Sequence, residues 1–345
     1  MNLKQPLSYS APGKMMVAGE YAVLFDYPAL VGAVDCRATT TLQNAPHLQV
    51  KGLEDHPLSV VRAEDSLAFV GQHPNANTQL FTHALEHFFH DRPLPNILVE
   101  TNTRRFFDAE GRKLGLGSSA AATVSLTAAL LHYLKQARPS QNEIIKHALQ
   151  IHKKLNGGVG SGADVAASTV GGLIKFQQIG VQMRHLPHWQ NPDWQFLIVF
   201  TGKTQSTKAW VKVVEDWASQ APKPSKLVLQ EIHKATLAIL AAMENQTGSQ
   251  LVAGITQAHL AMNQLGQATQ LDIVAPAATT IHDLAVEMGG SAKPSGAGGG
   301  DICMAVLPVN QAQQFVNSLE EKGFSVLQRD VFSEGCHPLA SPKPH

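Results

Sequence analysis

The sequence carries no surplus of either charge: 27 lysines and arginines balance 27 aspartates and glutamates. That balance leaves no global field to draw the chain onto nucleic acid or an anionic membrane, so any anion site has to be local. Cysteine is scarce as well. Cys36, Cys303 and Cys336 form an odd set without zinc-type or redox-pair spacing, which fits a reducing, cytoplasmic setting. No run of about 18 apolar residues is present to cross a bilayer, and the opening MNLKQPLSYSAPGK lacks the apolar core of a signal peptide. A soluble, unprocessed protein is expected, with neither membrane nor nucleic-acid partners. No zinc site is assigned among the 16 histidines.

What the chain does have is length and apolar content. Its 345 residues are 44% hydrophobic, more than one typical core needs, so two packed domains are expected. The opening part alternates short β-rich runs with polar breaks, at 15–24, 38–43 and 96–101, which predicts antiparallel strands. Residues 120–134, rich in alanine and leucine and apolar nearly all round, predict a buried helix; 141–155 predict a second, and 171–177 a strand. Segment 186–193, polar with two prolines, reads as a linker dividing the chain into 1–185 and 186–345. Beyond it the pattern predicts a buried strand at 194–200 and helices at 207–219, 225–245, 250–265 and 272–288. A strand at 302–307, a helix at 311–322 and a last strand at 324–328 follow. The proline-containing tail from Ser333 is expected to fray.

Several segments carry the residue types of chemistry. KLGLGSSAAATVSL, from Lys113 to Leu126, runs the loop Gly115-Leu116-Gly117-Ser118-Ser119 straight into the buried helix. Glycine admits close approach, and the free amides and dipole at a helix start attract anions, so this loop suits phosphate. Ser118 and Ser119 add hydroxyls for phosphate or magnesium. The segment is not a Walker loop, and a serine-capped glycine turn explains it equally well by itself. GGVGSGADVAAS, from Gly157 to Ser168, sets one carboxylate, Asp164, among small residues. Asp164 either orients and deprotonates an attacking hydroxyl, with Lys14 as its cation, or caps a helix beginning near Val165.

KPSGAGGGD, from Lys293 to Asp301, has the composition of an anion-binding nest of inward amides; a hinge is the alternative. APGKMMVAGEYAVL embeds Lys14 and Glu20 in an apolar strand pattern, where charges need partners. TGKTQSTKAW, from Thr201 to Trp210, offers Lys203, Ser206, Thr207 and Lys208 either for a second phosphate or as a helix cap with solvated lysines.

In this order, APGKMMVAGEYAVL, KLGLGSSAAA and KPSGAGGGD resemble the signature motifs of the GHMP kinases, the superfamily of galacto-, homoserine, mevalonate and phosphomevalonate kinases. The resemblance spans Ala11 to Asp301. It implies an α+β, two-domain fold: an N-terminal α+β domain with a left-handed βαβ crossover, a C-terminal ferredoxin-like α/β domain, and the active site between them. Within the superfamily, Lys113 ahead of GLGSS, GEYAVL rather than GEHAV, GSGADVAAS rather than PSGxDN, and Asp301 closing GAGGGD are similar to the branch that converts 5-phosphomevalonate to the diphosphate.

Carried over residue by residue, the resemblance implies catalytic roles for Lys14 and Asp164. It implies nucleotide-phosphate contacts from Lys113, Gly115, Leu116, Gly117, Ser118, Ser119 and Ala120, with Ser119 a magnesium ligand. Substrate contacts are implied for Lys14, Glu20, Tyr21, Ser161, Gly162, Ser206, Thr207, Lys208, Ser295, Gly296, Ala297, Gly298 and Gly299, and Lys113 becomes a reader of the acceptor's phosphate. The chain departs from the mevalonate kinases where these carry a magnesium-binding glutamate upstream of their aspartate; here stand Ile151, His152 and Lys153. The expectation is an ATP- and Mg2+-dependent kinase for phosphomevalonate, as a monomer or a homodimer. Mevalonate is the rival acceptor. The rival from another class is a catalytically silent, ligand-sensing protein of the same fold, against which the presence of both Lys14 and Asp164 argues.

Overall fold

The computed structural model describes residues 2–53, 56–63, 66–70, 78–203, 207–327 and 331–340, with the backbone alone at 207 and 208. In the first half, β1 (Leu7–Ala18) and β2 (Ala29–Asn44) are followed by β3 (Gln49–Lys51), β4 (Leu58–Ala63) and β5 (Ser66–Phe69). Helix α1 (Gln79–Phe89) leads to β6 (Ile97–Asn102), then come α2 (Ser118–Lys135), α3 (Gln141–Leu155), α4 (Ala163–Val170), β7 (Leu173–Gln177) and β8 (Gln182–His185). The second half contains β9 (Trp194–Phe200), α5 (Thr207–Gln220), α6 (Pro222–Glu244), α7 (Gly248–Thr269), α8 (Pro276–Glu287), β10 (Ser291–Pro294), β11 (Ile302–Pro308), α9 (Val309–Glu321), β12 (Ser325–Leu327) and β13 (His337–Leu339).

The first sheet runs β13-β1-β2-β6-β3-β4-β5, with β7 on β2 and β8 on β7. Its neighbours are antiparallel except β3 and β6, which lie parallel with α1 in the connection between them. The register of β1 on β2 shifts at Pro12/Gly13 and again at Met16/Ala18, as expected where a proline cannot donate to the ladder. Helix α2 packs on β1, β2, α3 and α4. Its Val124, Leu126 and Leu130 are fully buried, each contributing about 1.5–3 kcal/mol of apolar burial. Helix α3 opens with a capping box, Ser140 and Glu143 exchanging side-chain and backbone hydrogen bonds.

The second sheet is antiparallel, ordered β10-β11-β9-β12. In chain order this is the β-α-β-β-α-β arrangement of a ferredoxin-like layer, α8 and α9 being its helices, with α5 to α7 inserted after its first strand. Helix α8 begins at Pro276, not at the predicted position 272. Proline favours the first helical position and holds Ala275 extended.

Three sequence expectations need correction. Residues 79–89 form α1 rather than part of a run of strands: Phe81, Ala84, Leu85, Phe88 and Phe89 are buried along one stripe, and that period is helical. Lys293 and Pro294 belong to edge strand β10, paired with Met304 and Cys303, so the glycine loop is shorter than predicted. The tail does not fray from Ser333. Val331 and Glu334 bridge to Val34 and Gly171, and β13 pairs with β1, while Arg37 donates to the carbonyls of Glu334 and Gly335. Covering the open edge of β1 satisfies backbone groups that solvent would otherwise have to pair.

Candidate active site

Four segments converge on one cavity of about 480 Å3, lined among others by Lys14, Glu20, Tyr21, Gly115, His152, Lys153, Ser161, Gly162, Asp164, Ser295, Gly296, Ala297 and Asp301. That size suits a small-molecule site. The Lys14 amide donates to the Leu116 carbonyl at 2.8 Å, tying β1 to the loop that opens α2. Gly117 caps α2 in the left-handed conformation, and a Cβ there would sit 2.9 Å from Lys14 Cγ. Lys14 therefore runs against this loop; its Nζ lies 4.0 Å from where a Cβ of Gly296 would be. The cation is held between two glycine segments.

At the start of α2 no side chain caps the helix. Among the described residues, the amides of Ser118, Ser119 and Ala120 have no acceptor. Open first-turn amides and the helix dipole suit an anionic oxygen. The cradle is made of backbone: Leu116 and Ala120 put their side chains in the core, 1% and 0% exposed, so they can contribute main-chain groups only. Ser119 points elsewhere, its Oγ 3.4 Å from His152 Nε2.

Asp164 stands in the first turn of α4, whose cap is Gly162 at φ 82°. The carboxylate is thus not the cap; its Oδ1 accepts from the Val165 amide at 2.9 Å. Its Oδ2 is 3.8 Å from His152 Nε2, the same nitrogen that approaches Ser119. No ion pair joins Asp164 to Lys14, which corrects the expected contact. The two line the cavity from different walls.

His152 is the residue sequence reasoning registered only as a departure. Buried at 6% exposure, it is also contacted by the Asn156 side-chain amide, and it links the start of α2 to the carboxylate. Its signal was positional, since it falls in the stretch Ile151 to Lys153 where the sequence departs from the motif it otherwise resembles.

The fourth wall runs from Ser295. The Met16 amide donates to Ser295 Oγ at 2.9 Å, and Tyr21 Oη donates to the Ala297 carbonyl at 2.7 Å. Burial, and then the neighbouring Glu20 carboxylate, push the Tyr21 phenol well above its usual range, so it stays a donor. Glu20 lines the cavity, but its carboxylate is engaged by Lys293.

Several expected contacts are not brought to this cavity. Gly298 packs against the Ile273 carbonyl and Gly299 against the Trp210 ring, so both shape the loop rather than face a ligand. Lys113 is exposed, in an isolated bridge with Phe107, and does not line the cavity. Ser206 lies outside the described residues, as do the side chains of Thr207 and Lys208. Among the described residues no cluster of three or more His, Cys, Asp or Glu side chains could hold a metal ion, and no helix is long and apolar enough to cross a membrane.

Comparison with known proteins bears on this geometry. Residues 79–172 match the GHMP kinases N-terminal domain and residues 232–324 the GHMP kinases C-terminal domain. A phosphomevalonate kinase of a Streptomyces species is 28% identical over 351 aligned positions, covering 89% of this chain and 91% of that protein. A mevalonate kinase of Thermococcus onnurineus is 28% identical over 318 positions, covering 88% and 90%. The fold superposes on Streptococcus pneumoniae phosphomevalonate kinase, solved with phosphomevalonate and AMPPNP, with a TM-score of 0.76 at 18% identity, covering 94% and 99%. With both family domains in order along the chain, and the cavity lined by residues from each half, this chain is a kinase that belongs to the GHMP kinases.

Proposed function

We propose that this kinase transfers the terminal phosphoryl group of ATP to 5-phosphomevalonate, in the route from mevalonate to isoprenoids and in a reducing cytoplasm. One observation carries the reading: Lys14, Asp164 and Gly115, the last at the head of the loop that leads into the open amides of α2, line a single cavity. Phosphoryl transfer asks little covalent chemistry of a protein, so catalysis is positioning and charge neutralisation.

The chain's groups divide that work. Amides of Ser118, Ser119 and Ala120 hold the nucleotide's phosphate oxygens. Lys14, drawn between Gly117 and Gly296, offsets charge on the group in transit. Asp164 has one oxygen committed to the Val165 amide, so Oδ2 is the atom left to orient the acceptor's phosphate and take the proton of its monoanionic form, as that phosphate's oxygen bonds to the terminal phosphorus of ATP and ADP leaves. Ser119 Oγ and Asp164 Oδ2 both approach His152 Nε2, and these two oxygens, with phosphate oxygens and water, would hold magnesium. When bound, that ion would neutralise phosphate charge. Lys153 is a further lysine on the cavity wall, and an acceptor that already carries a phosphate explains why one cation is not enough.

Mevalonate is the second reading. Lys113, the sequence's candidate reader of the acceptor phosphate, is exposed and away from the cavity, and mevalonate kinases are among the relatives. An ADP-release screen over mevalonate, 5-phosphomevalonate, homoserine and galactose separates these. The highest kcat/KM is expected with 5-phosphomevalonate; a higher value with mevalonate would replace the substrate assignment, and none with any acceptor would revive the silent binding protein.

A further inference from the structure

The loop that closes the cavity has little shape of its own. Gly296, Gly298, Gly299 and Gly300 all have positive φ, where glycine is free to move among many conformations. Its position must be imposed from outside. Gly298 and Gly299 are wedged from behind by Ile273 and Trp210. On the cavity side, each tie comes from the other half of the chain: Met16 to Ser295, Tyr21 to Ala297, and Glu20 to Lys293.

The last tie differs in kind. Lys293 is 0% exposed and Glu20 2% exposed, so a full charge of each sign has been taken out of water. Lys293 Nζ also donates to the Pro294 carbonyl at 2.8 Å. Glu20 is held from its own side by a tight turn, in which Gly19 at φ 89° lies against the Pro28 carbonyl and Val23 donates to the Gly19 carbonyl. Replacing such a buried pair by apolar residues of similar volume is often neutral or stabilising, whereas removing one partner is strongly destabilising. What a charged pair adds over an apolar one is a single required geometry.

We propose that Glu20 and Lys293 are positioning residues: a buried interdomain ion pair that sets the height of the Ser295–Gly300 loop over the cavity and so aligns the reacting groups. The inference rests on that cavity being the kinase site. It assigns Glu20 to the loop rather than to substrate, and it gives Lys293, the first residue of KPSGAGGGD, a role no contact with a ligand would supply.

The test uses the full chain and two variants, Glu20→Gln and the double variant Glu20→Leu/Lys293→Met, measuring Tm, kcat and KM for ATP and acceptor well below each Tm, with hydrogen exchange of the 291–301 peptide. The double variant is expected to recover most of the Tm lost in Glu20→Gln. Its kcat is expected to stay about tenfold to a hundredfold down, the scale of a misplacement on the order of 1 Å, with exchange faster in 291–301 alone. Wild-type kcat and KM in either folded variant would overturn the proposal, as would unchanged exchange in that peptide. If the double variant does not fold, Glu20→Gln decides it by the same readings. Should the wild-type chain phosphorylate no acceptor, the kinase reading fails, while the exchange data still report whether the pair holds the loop.

Discussion

Lys14 and Asp164 line the same cavity without forming an ion pair: the ammonium is drawn along Gly117 towards Gly296, and the carboxylate's Oδ2 has His152 Nε2 at 3.8 Å. The cavity they share has the size of a small-molecule site. A pre-formed pair would have to be broken first, at the cost of its Coulomb energy.

Asp164→Asn and Lys14→Ala are each expected to lower kcat on the order of a thousandfold, within the range for losing a proton acceptor or a transition-state charge. Thermal melts should barely move, because Asp164 makes no ion pair that stabilises the fold beyond a partly exposed contact with His152. Near-wild-type kcat in either purified variant would remove that residue from the mechanism.

Gly117→Ala and Gly111→Ala form a matched pair. Both positions have positive φ, 79° and 77°, but a Cβ at 117 meets Lys14 Cγ at 2.9 Å while one at 111 meets nothing within 4 Å. Each should cost about 1–2 kcal/mol for the left-handed backbone. The 117 variant alone should also lose activity, about tenfold or more, as Lys14 is displaced. Equal kcat in the two would mean that this contact does not position Lys14.

Lys153→Ala is expected to raise the acceptor KM about tenfold, as for losing one charge-assisted contact, and Lys113→Ala to change it less than about twofold, as for a surface site. Initial-rate kinetics with 5-phosphomevalonate decide it. The reverse order would restore Lys113 as the phosphate reader and require the Phe107 bridge to move.

His259 stacks on His282, ring centroids 3.8 Å apart. Burial first, then the neighbouring His282, lower its pKa from 6.5 to about 4. The native state keeps this imidazole neutral where the unfolded chain takes up a proton. Its contribution is therefore complete above about pH 6.5 and is lost as pH falls towards 4, up to about 3 kcal/mol. Urea midpoints recorded from neutral pH down to about pH 4.5 should fall in the wild type and fall less steeply in His259→Phe. Parallel slopes would show that other groups govern the acid limb.

Most of the elements were legible in sequence because their periods are local. Strand β9 and helix α3 have the predicted bounds, set by an apolar run and by a capping box. Helix α1 was legible too, but its aromatic and histidine content reads as strand if propensity is put before period. The glycine turn into α2 was legible because a glycine run entering an apolar helix is a local pattern.

Which side of a loop faces a ligand was not local. Gly296 reaches the cavity, while Gly298 and Gly299, in the same run, are turned onto Ile273 and Trp210; nothing in the string GAGGG distinguishes them. Likewise Lys113 and Lys153 look alike as charges near glycine, and only packing puts one outside and one on the wall.

Sequence by itself determined the loops, their order and the residue types that line the cavity, since backbone geometry and hydroxyl, amine and carboxylate chemistry travel with the residues. Tertiary structure alone decided the partners: Glu20 with Lys293 across 273 residues, Asp164 with His152 rather than Lys14, and the tail with β1. Long-range pairs depend on which surfaces the two halves bury against each other, and that balance of desolvation and geometry is a property of the assembled chain.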